Sequence, residues 1–99
     1  MEKILERKLS SKNSFFQIQA KLDNRLNELS EKFGGEEEVG FTWGPGKKKL
    51  LIASRYFNSE INLNSHYLQV WIDVPFLFRL FKGRVVAELT REIEKIIQD

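Results

Sequence analysis

Residues 39–54 carry the sequence VGFTWGPGKKKLLIAS, and this stretch decides the fold. Val39, Phe41 and Trp43 are separated by single small or polar residues, which is the two-residue period of a strand with one apolar face. The Gly-Pro-Gly tripeptide that follows is typical of a turn, and residues 49–54 are apolar enough to return as a second strand. The stretch therefore predicts an antiparallel hairpin.

Two more alternating stretches follow the hairpin. Ile61 and Leu63 lie among polar residues, and after a polar Asn-Ser-His turn apolar residues alternate again from Leu68 to Val74. Four successive short strands with tight connections predict an antiparallel meander. A mixed segment from Lys3 to Leu9 predicts a strand before the meander, but its place in the sheet stays open.

Apolar side chains at steps of three and four predict one helix on each side of the meander. The first helix runs from about Lys12 to Lys32 and is closed by Gly34 and Gly35. The second begins at Pro75, which suits a first helical turn, and ends at about Ile97. The apolar residues of the two helices are Phe15, Ile18, Leu22, Leu26, Leu29 and Phe33 in the first, and Phe81, Val85, Leu89, Ile93 and Ile96 in the second.

The order β-α-β-β-β-β-α predicts a single α+β domain over residues 1–99, an antiparallel sheet with two amphipathic helices packed on one face. The length agrees, because 99 residues support one hydrophobic core. With 41% hydrophobic and 30% charged residues, the composition is that of a globular protein. No apolar run is long enough to span a bilayer, and the N-terminus is charged where a secretory signal is apolar. We therefore expect an unexported, cytoplasmic protein.

The residues used in catalysis and metal binding are few. The chain has no cysteine and a single histidine, His66, which excludes disulfides, thiolate catalysis and sites built from several histidines. The acidic run Glu36–Glu38 lacks the spaced oxygen ligands of a calcium loop. Gly44-Pro45-Gly46 and the lysines after it lack the spacing of a phosphate-binding loop. We therefore expect a protein that is not an enzyme and has no cofactor or metal.

Aromatic residues are frequent, with eight Phe, two Trp and two Tyr. The predicted core takes Phe15, Phe33, Phe41, Trp43, Phe78 and Phe81. The remaining six are expected near or at the surface, and they are Phe16, Tyr56, Phe57, Tyr67, Trp71 and Phe76.

The start of the second helix is apolar nearly all round. Phe78 and Phe81 share the core stripe with Val85, whereas Phe76 and Leu80 point to the opposite side. Either neighbouring elements bury both sides, or the second side is an exposed patch that suits a lipid-like surface, with rings inserted and cations at the interface. The candidate surface-binding residues are Phe76, Arg79, Leu80, Lys82 and Arg84. Within this helix, Gly83 is expected to allow a kink or close packing.

Two further sites are open hypotheses. Tyr67 and Trp71 are expected on the outer face of the sheet, either as rings lying across polar neighbours or as the interface of a homodimer. A pocket between the sheet and the C-terminal helix would instead bind a small apolar ligand. Its candidate lining residues are Phe41, Trp43, Phe81 and Val85.

Nucleic acid is a third candidate partner, through Lys47–Lys49 and the basic residues between Arg79 and Arg84. The net charge of +2 and the absence of a recognition motif argue against this hypothesis.

Several short motifs occur in order along the chain, after the first strand and helix. They are Phe41-Thr42-Trp43, the strand end Asp73-Val74-Pro75, and the run Leu77 to Arg84. In these motifs and their order the chain resembles the small bacterial polyhydroxyalkanoate system proteins over almost its whole length. It lacks the histidine that family members often have near Lys8-Leu9-Ser10, and the Gly-x-x-Gly pattern at the place of Arg55 to Ser59. The resemblance implies a granule-associated protein that binds a polyester granule surface or a partner protein, with no established catalytic residues.

Overall fold

The computed structural model describes residues 1–9, 15–32 and 39–98, which form strands and helices in the predicted order. The elements are β1 (Glu2–Lys8), α1 (Phe15–Lys32), β2 (Val39–Trp43), β3 (Lys49–Ser54), β4 (Asn58–Leu63), β5 (Tyr67–Asp73) and α2 (Lys82–Gln98). Two short 3₁₀ segments, Pro45–Lys47 and Phe76–Phe81, precede β3 and α2. The α+β class is confirmed. The predicted first residues of α1, its closing glycines, Phe33 and the acidic run Glu36–Glu38 lie outside the described residues.

The five strands form one antiparallel sheet in the order β1-β5-β4-β3-β2. The meander from β2 to β5 is as predicted, and β1 pairs with β5 at the edge, which the sequence left open. One row of facing residues crosses the sheet, from Leu5 to Val70, Ile61, Leu50 and Trp43. This apolar row marks the inner face.

Both helices pack against that inner face. Their almost fully buried residues are Ile18, Leu22, Leu29, Leu89, Ile93 and Ile96. α1 contacts β2 and α2 contacts β1, so the helices cover opposite halves of the sheet. An ion pair of 2.6 Å between Arg7 Nη2 and Glu94 Oε1 joins β1 to α2.

The turn between β2 and β3 is fastened to α1 by polar contacts. Gln19 Nε2 donates hydrogen bonds to the carbonyl oxygens of Gly46 and Lys47 at 2.9 and 2.8 Å. Asp23 accepts hydrogen bonds from Trp43 Nε1 and Lys47 Nζ, each at 3.2 Å. The hydrogen bonds from Lys47 and then Trp43 lower the pKa of Asp23 below its ordinary value. The basic tip of the hairpin is therefore part of the scaffold.

Phe57 is 1% exposed, so its expected surface position is wrong. It continues the inward alternation of β4, which places Ser59, Ile61 and Leu63 on the same face. The Ser54 hydroxyl accepts a hydrogen bond from the Phe57 N–H at 3.1 Å and closes the turn that directs the ring inward. Because the inward position 59 is a polar serine, the apolar alternation of β4 could not be followed back to Phe57 in the sequence.

The second helix starts later than predicted. α2 begins at Lys82, and Phe76–Phe81 form 3₁₀ turns after Pro75. Phe78 has φ −114° and ψ 17°, which breaks the helical path within this segment. A Cβ placed on Gly83 meets no heavy atom within 4 Å, so close packing, one of the two alternatives for this glycine, is wrong.

Candidate apolar binding surface

The 3₁₀ segment Phe76–Phe81, called the apolar segment below, presents large apolar side chains to solvent. The exposed fractions are 79% for Phe76, 85% for Leu77, 96% for Leu80 and 49% for Phe81. A cluster of large apolar side chains this exposed on a small domain marks an interaction site. Of the two alternatives left open for Phe76 and Leu80, the structure shows the exposed one, whereas the core position predicted for Phe81 is wrong. Leu77 was not among the predicted surface residues, because an α-helix from Pro75 would give its side chain another direction.

Two aromatic contacts with Tyr56 join the apolar segment to the rest of the domain. Phe78 is half-buried, and its ring lies edge-on to Tyr56 with 5.0 Å between the ring centroids. The Phe81 ring lies 6.4 Å from the same tyrosine. Tyr56 belongs to the connection between β3 and β4 and packs against the core. The contact therefore turns Phe78 inward while its neighbours stay exposed.

Three arginines lie in or near the apolar segment. The Arg79 guanidinium lies 5.8 Å from the centre of the Phe76 ring, and the Arg55 guanidinium lies 5.9 Å from that of Tyr56. Arg84 is exposed in the first turn of α2. Sequence reasoning missed Arg55 and Tyr56, since only tertiary folding brings the β3–β4 connection beside the segment. The rim of the surface is thus cationic, with two guanidinium groups within cation–π distance of aromatic rings.

Lys82 joins the end of the apolar segment to β1. Its Nζ donates a hydrogen bond to a Glu2 carboxylate oxygen at 2.5 Å. This hydrogen bond, together with the attraction of the opposite charges, lowers the pKa of Glu2 below its ordinary value. Both side chains are substantially exposed, so the pair positions the segment more than it stabilises the fold.

An open groove of about 350 Å³ lies beside the segment. It runs between the first residues of β1 and the end of β5. Its lining residues are Met1, Glu2, Ile72, Asp73, Val74, Phe76, Arg79 and Lys82. Its wall contains both apolar and charged side chains, and it shares Phe76 and Arg79 with the apolar segment.

The four residues predicted to line a pocket divide into two groups. Phe41 and Trp43 lie on the edge strand β2, half-buried against the core. Val85 also packs against the core, whereas Phe81 is exposed beside Tyr56. None of the four lines the groove described above. Binding of a small apolar ligand by these residues stays a prediction.

The outer face of the sheet carries Tyr67 and Trp71, as predicted from alternation. Tyr67 is exposed, and Trp71 is half-buried with the Lys3 ammonium 5.9 Å from its ring centre. Across the strands, Glu60 pairs with Trp71 and separates it from the exposed Leu51. The rings thus lie among polar neighbours within one chain, and a homodimer through this face stays a prediction.

The described residues include no group of three or more histidines, aspartates or glutamates that could hold a metal ion. His66 is exposed in the turn before β5, where its backbone N–H donates a hydrogen bond to Asn64 Oδ1 at 2.7 Å. In the same part of the chain, no helix has the length and apolar character needed to cross a membrane.

Comparison of the chain with protein-family models, curated proteins and solved structures found no match in any of the three. The resemblance to polyhydroxyalkanoate system proteins therefore stays a prediction from short motifs. The fold and the surface define the class of molecule as an α+β domain with an exposed apolar segment and an arginine rim.

Proposed function

We propose that this protein is a non-enzymatic binding protein that attaches to a hydrophobic surface through its apolar segment. The polyester granule surface implied by the motif resemblance is such a surface. The observation that carries the proposal is the exposure of Phe76, Leu77 and Leu80, which project from one short segment. A partner protein with an apolar cleft would contact the same side chains, and binding to pure particles separates the two cases.

The number of apolar side chains that insert determines the free energy of attachment. Full burial of a Phe or Leu side chain contributes about 1.5–3 kcal/mol, so inserting Phe76, Leu77 and Leu80 contributes roughly 4–9 kcal/mol. Association costs at least about 4 kcal/mol in lost translational and rotational freedom. The balance favours reversible attachment over permanent anchoring.

Co-sedimentation with purified polyhydroxybutyrate particles tests the proposal. The wild type is compared with Phe76→Ser plus Leu80→Ser, and we expect the double variant to bind at least about 100-fold more weakly, since losing two buried side chains costs about 3 kcal/mol or more. Phe16→Ser is the matched control, since Phe16 is 75% exposed but lies on α1. Equal binding by wild type and double variant, or no binding by the wild type, would overturn the proposal.

A further inference from the structure

We propose that the surface bound by the apolar segment carries anionic lipid headgroups, and that Arg55, Arg79 and Arg84 bind their phosphates. This inference rests on the proposed function and names the chemistry of the bound surface. A lipid layer offers both components that the segment requires, acyl chains for the exposed rings and phosphates for the cations.

The charge distribution around the segment supports this choice. Among the described residues, no carboxylate forms an ion pair with Arg55, Arg79 or Arg84, and all three are exposed. Lys82 differs, because Glu2 neutralises it. Asp73, which lines the groove, is a nearby carboxylate. Its single negative charge does not balance the three arginines, so the rim keeps a net positive charge. A polyester without ionised groups would not neutralise this charge.

Three lysines elsewhere on the domain show a contrasting pattern. Lys3 pairs with Glu6, Lys47 with Asp23, and Lys49 with Glu60, at 3.2, 3.2 and 3.6 Å. These ammonium groups form ion pairs within the domain. The arginines next to the apolar segment instead remain available for an external anion.

The position of the guanidinium groups fits an interface between acyl chains and headgroups. Arg79 lies over the face of Phe76, and Arg55 lies over the face of Tyr56, so each charge is held beside a ring. When rings insert into acyl chains, a cation at this height meets the phosphate layer. Arginine is suited to this contact, since its planar fork donates two parallel hydrogen bonds to one phosphate.

Vesicle flotation with the full chain tests the inference. Phosphatidylcholine vesicles are compared with vesicles that also contain about 30 mol% phosphatidylglycerol, and polyhydroxybutyrate particles without lipid are measured in parallel. We expect wild-type binding to be roughly 100-fold tighter on the anionic vesicles, the product of three fivefold contributions, and to weaken as salt screens the charges. Each arginine near the surface contributes roughly fivefold, so Arg55→Gln plus Arg79→Gln should lose about 25-fold on anionic vesicles. Binding of this variant to bare particles should change little.

A matched control changes the same net charge elsewhere. Lys8→Gln plus Lys48→Gln alters two exposed lysines, on β1 and in the β2–β3 turn, and should lose less than about threefold. Far-UV circular dichroism verifies that each variant is folded. Equal losses in the two double variants, or equal wild-type affinity for the two vesicles, would overturn the inference. If the inference fails but the wild type still binds bare polyhydroxybutyrate particles, the proposed function stands. If the wild type binds neither vesicles nor particles, the inference and the proposed function are both overturned.

Discussion

The Phe78 ring packs edge-on against the Tyr56 ring, with 5.0 Å between the centroids and 83° between the planes. This contact joins the apolar segment to the connection between β3 and β4. The other large apolar side chains of the segment are exposed, so Phe78 is its inward anchor. Of the two rings that contact Tyr56, Phe78 lies closer and is the less exposed.

Removing this anchor should loosen the segment without unfolding the domain. An edge-to-face aromatic pair contributes about 0.5–1.5 kcal/mol beyond area burial. In Phe78→Ala we therefore expect amide hydrogen exchange in Phe76–Phe81 to accelerate roughly two- to tenfold, while exchange in β4 is unchanged. Phe76→Ala removes an exposed ring and serves as control. Unchanged exchange in Phe78→Ala would show that other contacts hold the segment.

Phe57 should be a major contributor to stability. Its ring is among the largest fully buried side chains, so Phe57→Ala should lower the free energy of unfolding by about 3–5 kcal/mol. Urea denaturation followed by tryptophan fluorescence measures this change. Phe16→Ala, at a 75% exposed position, should alter stability by less than about 0.5 kcal/mol. Similar values for the two variants would contradict the buried position of Phe57.

Gly83 leaves room for a side chain. Gly83→Ala should raise the free energy of unfolding by about 0.4–1 kcal/mol, because alanine restricts the unfolded chain and suits a helix. Gly46→Ala should lower it by roughly 1 kcal/mol or more, since Gly46 has φ +69° in the β2–β3 turn. Thermal unfolding compares both variants with the wild type. A destabilised Gly83→Ala would indicate that the first turn of α2 needs backbone freedom.

Two buried serines should respond in opposite ways to alanine. The Ser30 hydroxyl lies on the buried side of α1 and has no hydrogen-bond partner among the described residues, whereas the Ser59 hydroxyl donates to the Trp71 carbonyl at 2.7 Å. Ser30→Ala should raise stability by about 1 kcal/mol, through helix propensity and the loss of an unsatisfied group. Ser59→Ala should lower stability by about 1 kcal/mol. Chemical denaturation measures both, and a destabilised Ser30→Ala would contradict this assignment.

The ion pair between Glu2 and Lys82 should titrate with acid. Because Lys82 lowers the folded-state pKa of Glu2, the stability that the pair contributes is fully present above about pH 5 and is lost as pH falls through the lowered pKa. Lys82→Gln should return the pKa of Glu2 toward its ordinary value, measured by NMR titration of the side-chain carboxyl. Glu6, whose pKa is lowered by hydrogen bonds from Gln69 and Lys3, is the internal control. A Glu2 pKa unaltered by Lys82→Gln would refute the pairing.

Local periodicity was enough to predict much of the scaffold. The alternation in residues 39–54 predicted β2 and β3 with their observed bounds, and the described part of the α1 stripe lies on the inner side. Alternation also placed Tyr67 and Trp71 on the outer face. These features depend on residues a few positions apart, where side-chain direction follows directly from backbone geometry.

The candidate site was only partly predictable for the same reason. Phe76, Leu80 and Arg79 are neighbours in sequence and were recognised as a surface. Arg55 reaches that surface only because the β3–β4 connection folds against it. The spacing of apolar residues along the chain does not reveal such a contact between residues distant in sequence.

The sequence by itself therefore determined the strands of the meander, the apolar faces of both helices and the apolar character of Phe76–Phe81. Tertiary structure decided that β1 pairs with β5, that Phe57 is buried while Phe81 is exposed, and that α2 begins at Lys82. A hydrophobic pattern specifies which face of an element is apolar, but the partner of that face depends on contacts between residues distant in sequence. Around Phe78, one such contact, with Tyr56, accompanies the break from a regular helix and leaves the neighbouring apolar side chains in solvent.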